Sequence, residues 1–136
     1  MVDPDRLRRI LKRVADDVEQ LRAYAALPSD ELLAERERLG NIKYLFVTAI
    51  GGCIDAAQHV CASERWGPPD DNADAMRVLV RHDVLGEDLA ETMTRVVGFR
   101  NILVHEYRDA DDQMVLSNVQ RVEDIDRFVA ALNELV

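Results

Sequence analysis

The sequence predicts an all-α fold, a bundle of four to five helices. Apolar residues recur at spacings of three and four along nearly the whole chain. Pro, Gly and good capping residues divide those runs into helix-sized pieces. No stretch shows the strict alternation of a half-buried strand, and no internal repeat or low-complexity tract interrupts the pattern. At 136 residues, 48% hydrophobic and 32% charged, the chain suits a single folded domain over residues 1–136.

Asp3-Pro4 marks the first helix start, with Asp3 as N-cap and Pro4 at the first helical position. Leu7, Ile10, Leu11, Val14, Val18, Leu21 and Ala25 then form one apolar stripe. Pro28 ends that helix, and Ser29 is the expected N-cap of a long second helix over residues 30–63. Its charged part, residues 35–38, should be solvated. Its later part is apolar on more than one face, as in a central helix or an oligomer seam. Gly51-Gly52 inside it allows close approach of another helix, or is a tolerated pair of weak positions.

Trp66-Gly67-Pro68-Pro69 opens a loop, and a short helix follows with Ala73, Met76, Leu79 and Val80. Gly86 breaks the chain again. A further helix runs from about Glu87 through Leu89, Met93, Val96, Val97 and Leu103, with residues 100–107 as its last turns. After the acidic loop 108–112, Met114 to Leu135 reads as one helix or two, with a break near Arg121.

Charge and cysteine content narrow the function. A net charge of −9 argues against a protein that coats nucleic acid non-specifically, and leaves room for a small basic site or a basic partner. Cys53 and Cys61 are eight apart, about 12 Å along a helix and beyond disulfide reach, so both are expected as buried small hydrophobes. His59 lies between them, but the spacing fits no zinc pattern, and no metal site is expected. No signal peptide is visible, and no apolar run approaches the ~18 residues of a membrane span. The expected setting is the cytoplasm, with no membrane contact.

The stretch Arg100-Asn101-Ile102-Leu103-Val104-His105-Glu106-Tyr107 concentrates the chemistry. Arginine holds anions, histidine moves protons near neutral pH, and tyrosine offers a hydroxyl. On a helix Arg100 and Tyr107 lie within about 20° of one face, whereas Arg100 and His105 are about 140° apart. The latter two meet only if Arg100 curls along the surface, the helix distorts, or a second copy completes the site. A plain reading also stands: a surface Arg, and a His favoured by the dipole at a helix C-terminus.

The order of a long apolar second helix, a Trp-Gly-Pro-Pro loop, a short helix and Gly98-Phe99-Arg100-Asn101-Ile102-Leu103-Val104-His105-Glu106-Tyr107 resembles the HEPN superfamily, and within it the HepT-like toxins. The stretch from Gly40 through His59 is similar to that family's second helix. The resemblance implies a homodimer whose motif helices meet in a cleft. It implies a metal-independent endoribonuclease without cofactor, the toxin of a type II or VII toxin–antitoxin pair. Arg100 and His105 would be catalytic, Asn101 supporting, and Tyr107 the acceptor of AMP from a minimal nucleotidyltransferase antitoxin. The substrate would be RNA, either tRNA or mRNA. Because the total charge is acidic, the site must then be locally basic, with Arg95 or Arg108 nearby, or the substrate must be a structured RNA held by shape. A non-catalytic module that binds nucleotide or docks a nucleotidyltransferase remains the alternative, and a helical oligomerisation protein with an idle motif is a third.

Overall fold

A computed structural model describes residues 2–107 and 110–136. Among them there are only helices: α1 (Pro4–Ala25), α2 (Ser29–Ala34), α3 (Arg36–Ser63), α4 (Asn72–Arg81), α5 (Glu87–His105), α6 (Asp112–Val119) and α7 (Glu123–Asn133). The all-α class is as expected. The count rises to seven because two of the anticipated helices are each divided.

α1 starts as its sequence dictates. Asp3 Oδ1 accepts from the backbone N–H groups of Asp5 and Arg6 at 3.1 and 3.2 Å. Leu7, Leu11, Val14, Val18 and Leu21 are buried along one stripe. The predicted helix over 30–63 is interrupted at Glu35, which is extended (φ −122°, ψ 119°). Arg38 stabilises the break: its Nη1 donates to the Glu31 carbonyl at 2.9 Å, satisfying an acceptor that α2 leaves open. Ser29 is the first residue of α2 and Pro28 its cap, without a side-chain bond. The division near Arg121 does occur, between α6 and α7.

α3 is the central element and packs against α1, α2, α4, α5 and α7. Thirteen of its residues are buried, from Leu39 to Cys61, so it is apolar nearly all round. By length and composition alone it could cross a bilayer, contrary to the sequence expectation. In this fold 56% of its most apolar stretch is buried inside the chain. Cys53 and Cys61 are both free and buried, and burial pushes both thiols up, Cys53 the further.

One apolar cluster includes residues from all seven helices. Phe46 of α3 meets Phe99 of α5 edge-on at 5.1 Å and fixes the rotation of α5 just before Arg100. Gly52 resolves the question about the glycine pair for one of its members. A Cβ there would sit 2.5 Å from Val14 Cγ2, so α1 and α3 touch through the missing side chain.

Both α3 and α4 end in Schellman turns, with Arg65 (φ 59°) and Asp83 (φ 61°) left-handed. Trp66 N–H donates to the Cys61 carbonyl and Val84 N–H to the Leu79 carbonyl. Trp66 then stacks on His82 at 3.9 Å, closing the loop between the two helices.

Candidate functional site

Arg100 lies on the inner edge of α5, one residue beyond Phe99, and its guanidinium points at α3. A Cβ at Gly51 would lie 3.6 Å from its Nε and 3.8 Å from its Nη2, so the guanidinium lies over the bare glycine. Arg100 opens into a groove of about 640 Å³ between α1 and α3, which Arg13, Asp17, Tyr44, Thr48 and Asp55 also line. Its Nε is buried and bonds to nothing among the described residues. A buried guanidinium nitrogen without an acceptor is costly, and an incoming anion would relieve that cost.

Asp17 is the acid nearest in character to a functional group. Thr48 Oγ1 donates to its Oδ2 at 2.7 Å. Burial nevertheless pushes its carboxyl above the usual range; the Thr48 bond opposes this and Asp16 adds to it.

His105 is the last residue of α5 and is exposed. α5 is α-helical from Glu87 to His105, with no break between Arg100 and His105. The ~140° rotation between them therefore persists, and one chain does not bring them together. Asn101, four residues before His105, shares its outward side and is also exposed.

Tyr107 lies past the helix end, so the seven-residue helical spacing from Arg100 does not apply. Its hydroxyl donates to the Gly40 carbonyl at 2.8 Å. Gly40 and Gly51 are eleven residues apart on α3, about 16 Å of helix. Within one chain Tyr107 therefore occupies a different cleft from Arg100, contrary to expectation. That cleft, about 200 Å³, is lined by Arg36, Leu39, Gly40, Lys43, Tyr107 and Asp112.

Lys43 is the residue that sequence reasoning missed. It is buried to 7% exposure, donates to the Tyr107 carbonyl at 3.2 Å, and lies 3.7 Å from Asp112. Its ammonium also stands 5.7 Å from the centre of the Tyr107 ring. The available signal was a lone lysine beside the α3 stripe of Leu39, Ile42 and Phe46. Arg95 does not add charge to the groove: it is exposed and paired with Glu91 at 3.4 Å. Arg108 lies outside the described residues.

The family model for ribonuclease HepT-like proteins matches residues 2–132. The chain belongs to this family. An mRNA nuclease HepT of Shewanella oneidensis is 31% identical over 78 residues, which is 57% of this chain and 59% of that protein. A putative RNase of Archaeoglobus fulgidus is 28% identical over 85 residues, 62% of this chain and 64% of the relative. The chain thus spans about six-tenths of the length of these two. A tRNA nuclease HepT of Aphanizomenon flos-aquae is 25% identical over 114 residues, covering 84% of this chain and 78% of that one. Among solved structures, a tri-AMPylated Shewanella oneidensis HEPN toxin in complex with an MNT antitoxin superposes with a TM-score of 0.86. It covers 98% of this chain and 99% of its own, at 19% identity. At that identity the likeness shows that this HepT-like chain has the HEPN fold.

Proposed function

We propose that this HepT-like protein is an endoribonuclease toxin of the cytoplasm that works as a homodimer, with Arg100 and His105 contributed across the seam. The observation that carries this reading is the Arg100 guanidinium, set in a groove with a buried Nε that lacks an acceptor among the described residues. If a two-fold axis crosses α5 near Ile102, the helices run antiparallel there. Residue 105 of one copy is then level with residue 100 of the other.

The chemistry needs no more than these side chains. One His105 takes the proton of a ribose 2′-OH, whose oxygen attacks the adjacent phosphorus. Arg100 holds the phosphate oxygens as negative charge grows on them. The bond from phosphorus to the 5′-oxygen breaks, and the second protomer's His105, in its protonated form, supplies the proton to that oxygen. A 2′,3′-cyclic phosphate and a free 5′-hydroxyl result. Asn101, on the same side as His105, can orient the strand. Purified protein should cleave RNA to these ends, and Arg100→Ala or His105→Ala should each lower cleavage by at least 10²-fold while keeping the wild-type melting midpoint. Cleavage by either variant at the wild-type rate would remove the assignment.

Tyr107 is the proposed acceptor of AMP from a minimal nucleotidyltransferase antitoxin. Tyr107 is 42% exposed, and Arg36 and Lys43 in the same cleft offer charge to an attached phosphate. The hydroxyl must first leave the Gly40 carbonyl. Incubation with ATP, magnesium and the antitoxin should add the mass of AMP to Tyr107 and stop cleavage. Tyr107→Phe should resist both effects. Equal silencing of Tyr107→Phe would mean that docking, not modification, inhibits.

The separation of Arg100 from Tyr107 within one chain favours the second reading, a non-catalytic module that binds nucleotide or docks a nucleotidyltransferase. Intact RNA after prolonged incubation with the wild-type dimer would select it.

A further inference from the structure

The protein carries 26 acidic against 17 basic residues, a poor surface for capturing a polyanion. One strip departs from that balance. Arg6, Arg9 and Arg13 follow one another at three and four residues along one exposed face of α1. None of the three has an ion pair with another described residue. The neighbouring cations on α1 are tied down: Arg8 to Asp5 at 3.2 Å and Lys12 to Asp16 at 3.1 Å. Positive charge on this helix is thus sorted, paired on one side and unpaired on the other.

The unpaired side faces a groove. Arg6, Arg9, Arg13, Gln58 and His59 line a depression of about 670 Å³ between α1 and α3. Ile10, Arg13 and Asp55 line both this depression and the groove that Arg100 opens into, so the two are continuous. Asp55 is the acid common to both, and Asp16 and Asp17 lie only at the Arg100 end. Asp16 is engaged by Lys12 and Asp17 by Thr48. The path from Arg6 to Arg100 therefore keeps four arginines without an anionic partner among the described residues.

We infer that this strip is a track for the RNA strand, on which Arg6, Arg9 and Arg13 hold backbone phosphates beside the scissile one at Arg100. The inference rests on the ribonuclease reading and adds the residues that would capture the substrate. The spacing is suitable: from Arg6 to Arg13 is about 10 Å of helix rise. That length is of the order of a few consecutive phosphates of a strand. Contacts to phosphate position the strand and read no bases. Base preference must therefore come from elsewhere, and the three arginines should contribute equally to every substrate.

The test uses full-length protein with Arg6, Arg9 and Arg13 all changed to Gln. The control changes Arg8 and Lys12 to Gln on the paired side. Binding of a fluorescent single-stranded RNA is measured in the His105→Ala background across a salt series, and cleavage in the wild-type background. The triple variant should bind at least tenfold more weakly. Its slope of log affinity against log salt should be shallower by about 2, from three lost contacts at ~0.7 each on a single strand. KM should rise with kcat nearly unchanged, and the control should match wild type. Unchanged affinity and slope in the triple variant, at wild-type circular dichroism, overturn the track whether or not the protein cleaves. If wild type fails to cleave but binds RNA through these arginines, the track stands and the ribonuclease reading falls. A parallel titration with polyglutamate covers the other occupant. Arginine-dependent binding of polyglutamate, with RNA affinity unaffected, would make the strip a dock for an acidic protein surface and would overturn the proposal.

Discussion

Asp17 is an ionisable group in a place where a neutral side chain would cost less. Burial raises the Asp17 carboxyl, and the Thr48 hydroxyl only partly compensates. A carboxyl raised on folding binds its proton more tightly in the native state. That contribution to stability is full below about pH 3.8, the ordinary value, and is lost as pH rises through the folded value. At pH 7 the ionised Asp17 is therefore a burden. Asp17→Asn keeps an oxygen for Thr48 and removes the charge. Its melting midpoint should exceed wild type at pH 7, and the gap should close as pH falls to about 3.8. A midpoint lower than wild type at pH 7 would mean that Asp17 is held by attraction to Arg13 or Arg100 across the groove. Nothing in the sequence near Asp17 signalled this, because the partner Thr48 is 31 residues away. Arg100 was legible as a chemical group, but its orientation was not. That it lies over Gly51 needs the packing of α5 on α3 to be known.

At the scale of elements, periodicity recovered most helices because an apolar stripe is the direct record of burial. α1 follows its seven-residue stripe, and α4 and α5 begin close to the breakers that announced them. The break at Glu35 was invisible for a physical reason. Ala34, Glu35, Arg36 and Glu37 are each compatible with a helix interior, and the bond that rewards the break comes from Arg38 to Glu31. The glycine pair was legible only as an ambiguity. The two positions differ, and substitution separates them. Gly51→Ala places its methyl at ordinary contact distance, 3.6 Å from Arg100 Nε, and gains helix propensity. It should be neutral or stabilising by up to about 1 kcal/mol. Gly52→Ala gains the same propensity but drives a methyl to 2.5 Å from Val14 Cγ2. Val is stiff at χ1 in a helix, so α1 must shift, at about 1–3 kcal/mol before the propensity gain is subtracted. Urea denaturation should therefore rank Gly51→Ala above Gly52→Ala by at least about 1 kcal/mol. Equal stabilities would show that α1 yields freely there.

On the whole molecule, charge and apolar exposure pull in opposite directions. Each chain carries −9, which repels a second copy. Yet Tyr44 on α3 is 59% exposed and Val104 on α5 is 46% exposed, and Asn101 and His105 lie on the same outer side of α5 as Val104. Burying Tyr44 and Val104 against a second copy would remove both from water and pair Arg100 with the partner's His105. Like-charge repulsion between the copies should then be visible in the salt response. The screening length falls from about 30 Å at 0.01 M salt to about 8 Å at 0.15 M, so dimerisation should tighten as salt rises. RNA binding should weaken over the same range, which separates the two effects in one titration. Val104→Asp adds a charge at the centre of the proposed seam and touches no core residue's burial in the single chain. It should sediment as a monomer at micromolar concentration, keep its helical circular dichroism, and lose cleavage with Arg100 and His105 both intact. A Val104→Asp monomer that still cleaves at the wild-type rate would place the whole site within one chain. The geometry of α5 would then have to bend between residues 100 and 105 for the reaction to occur.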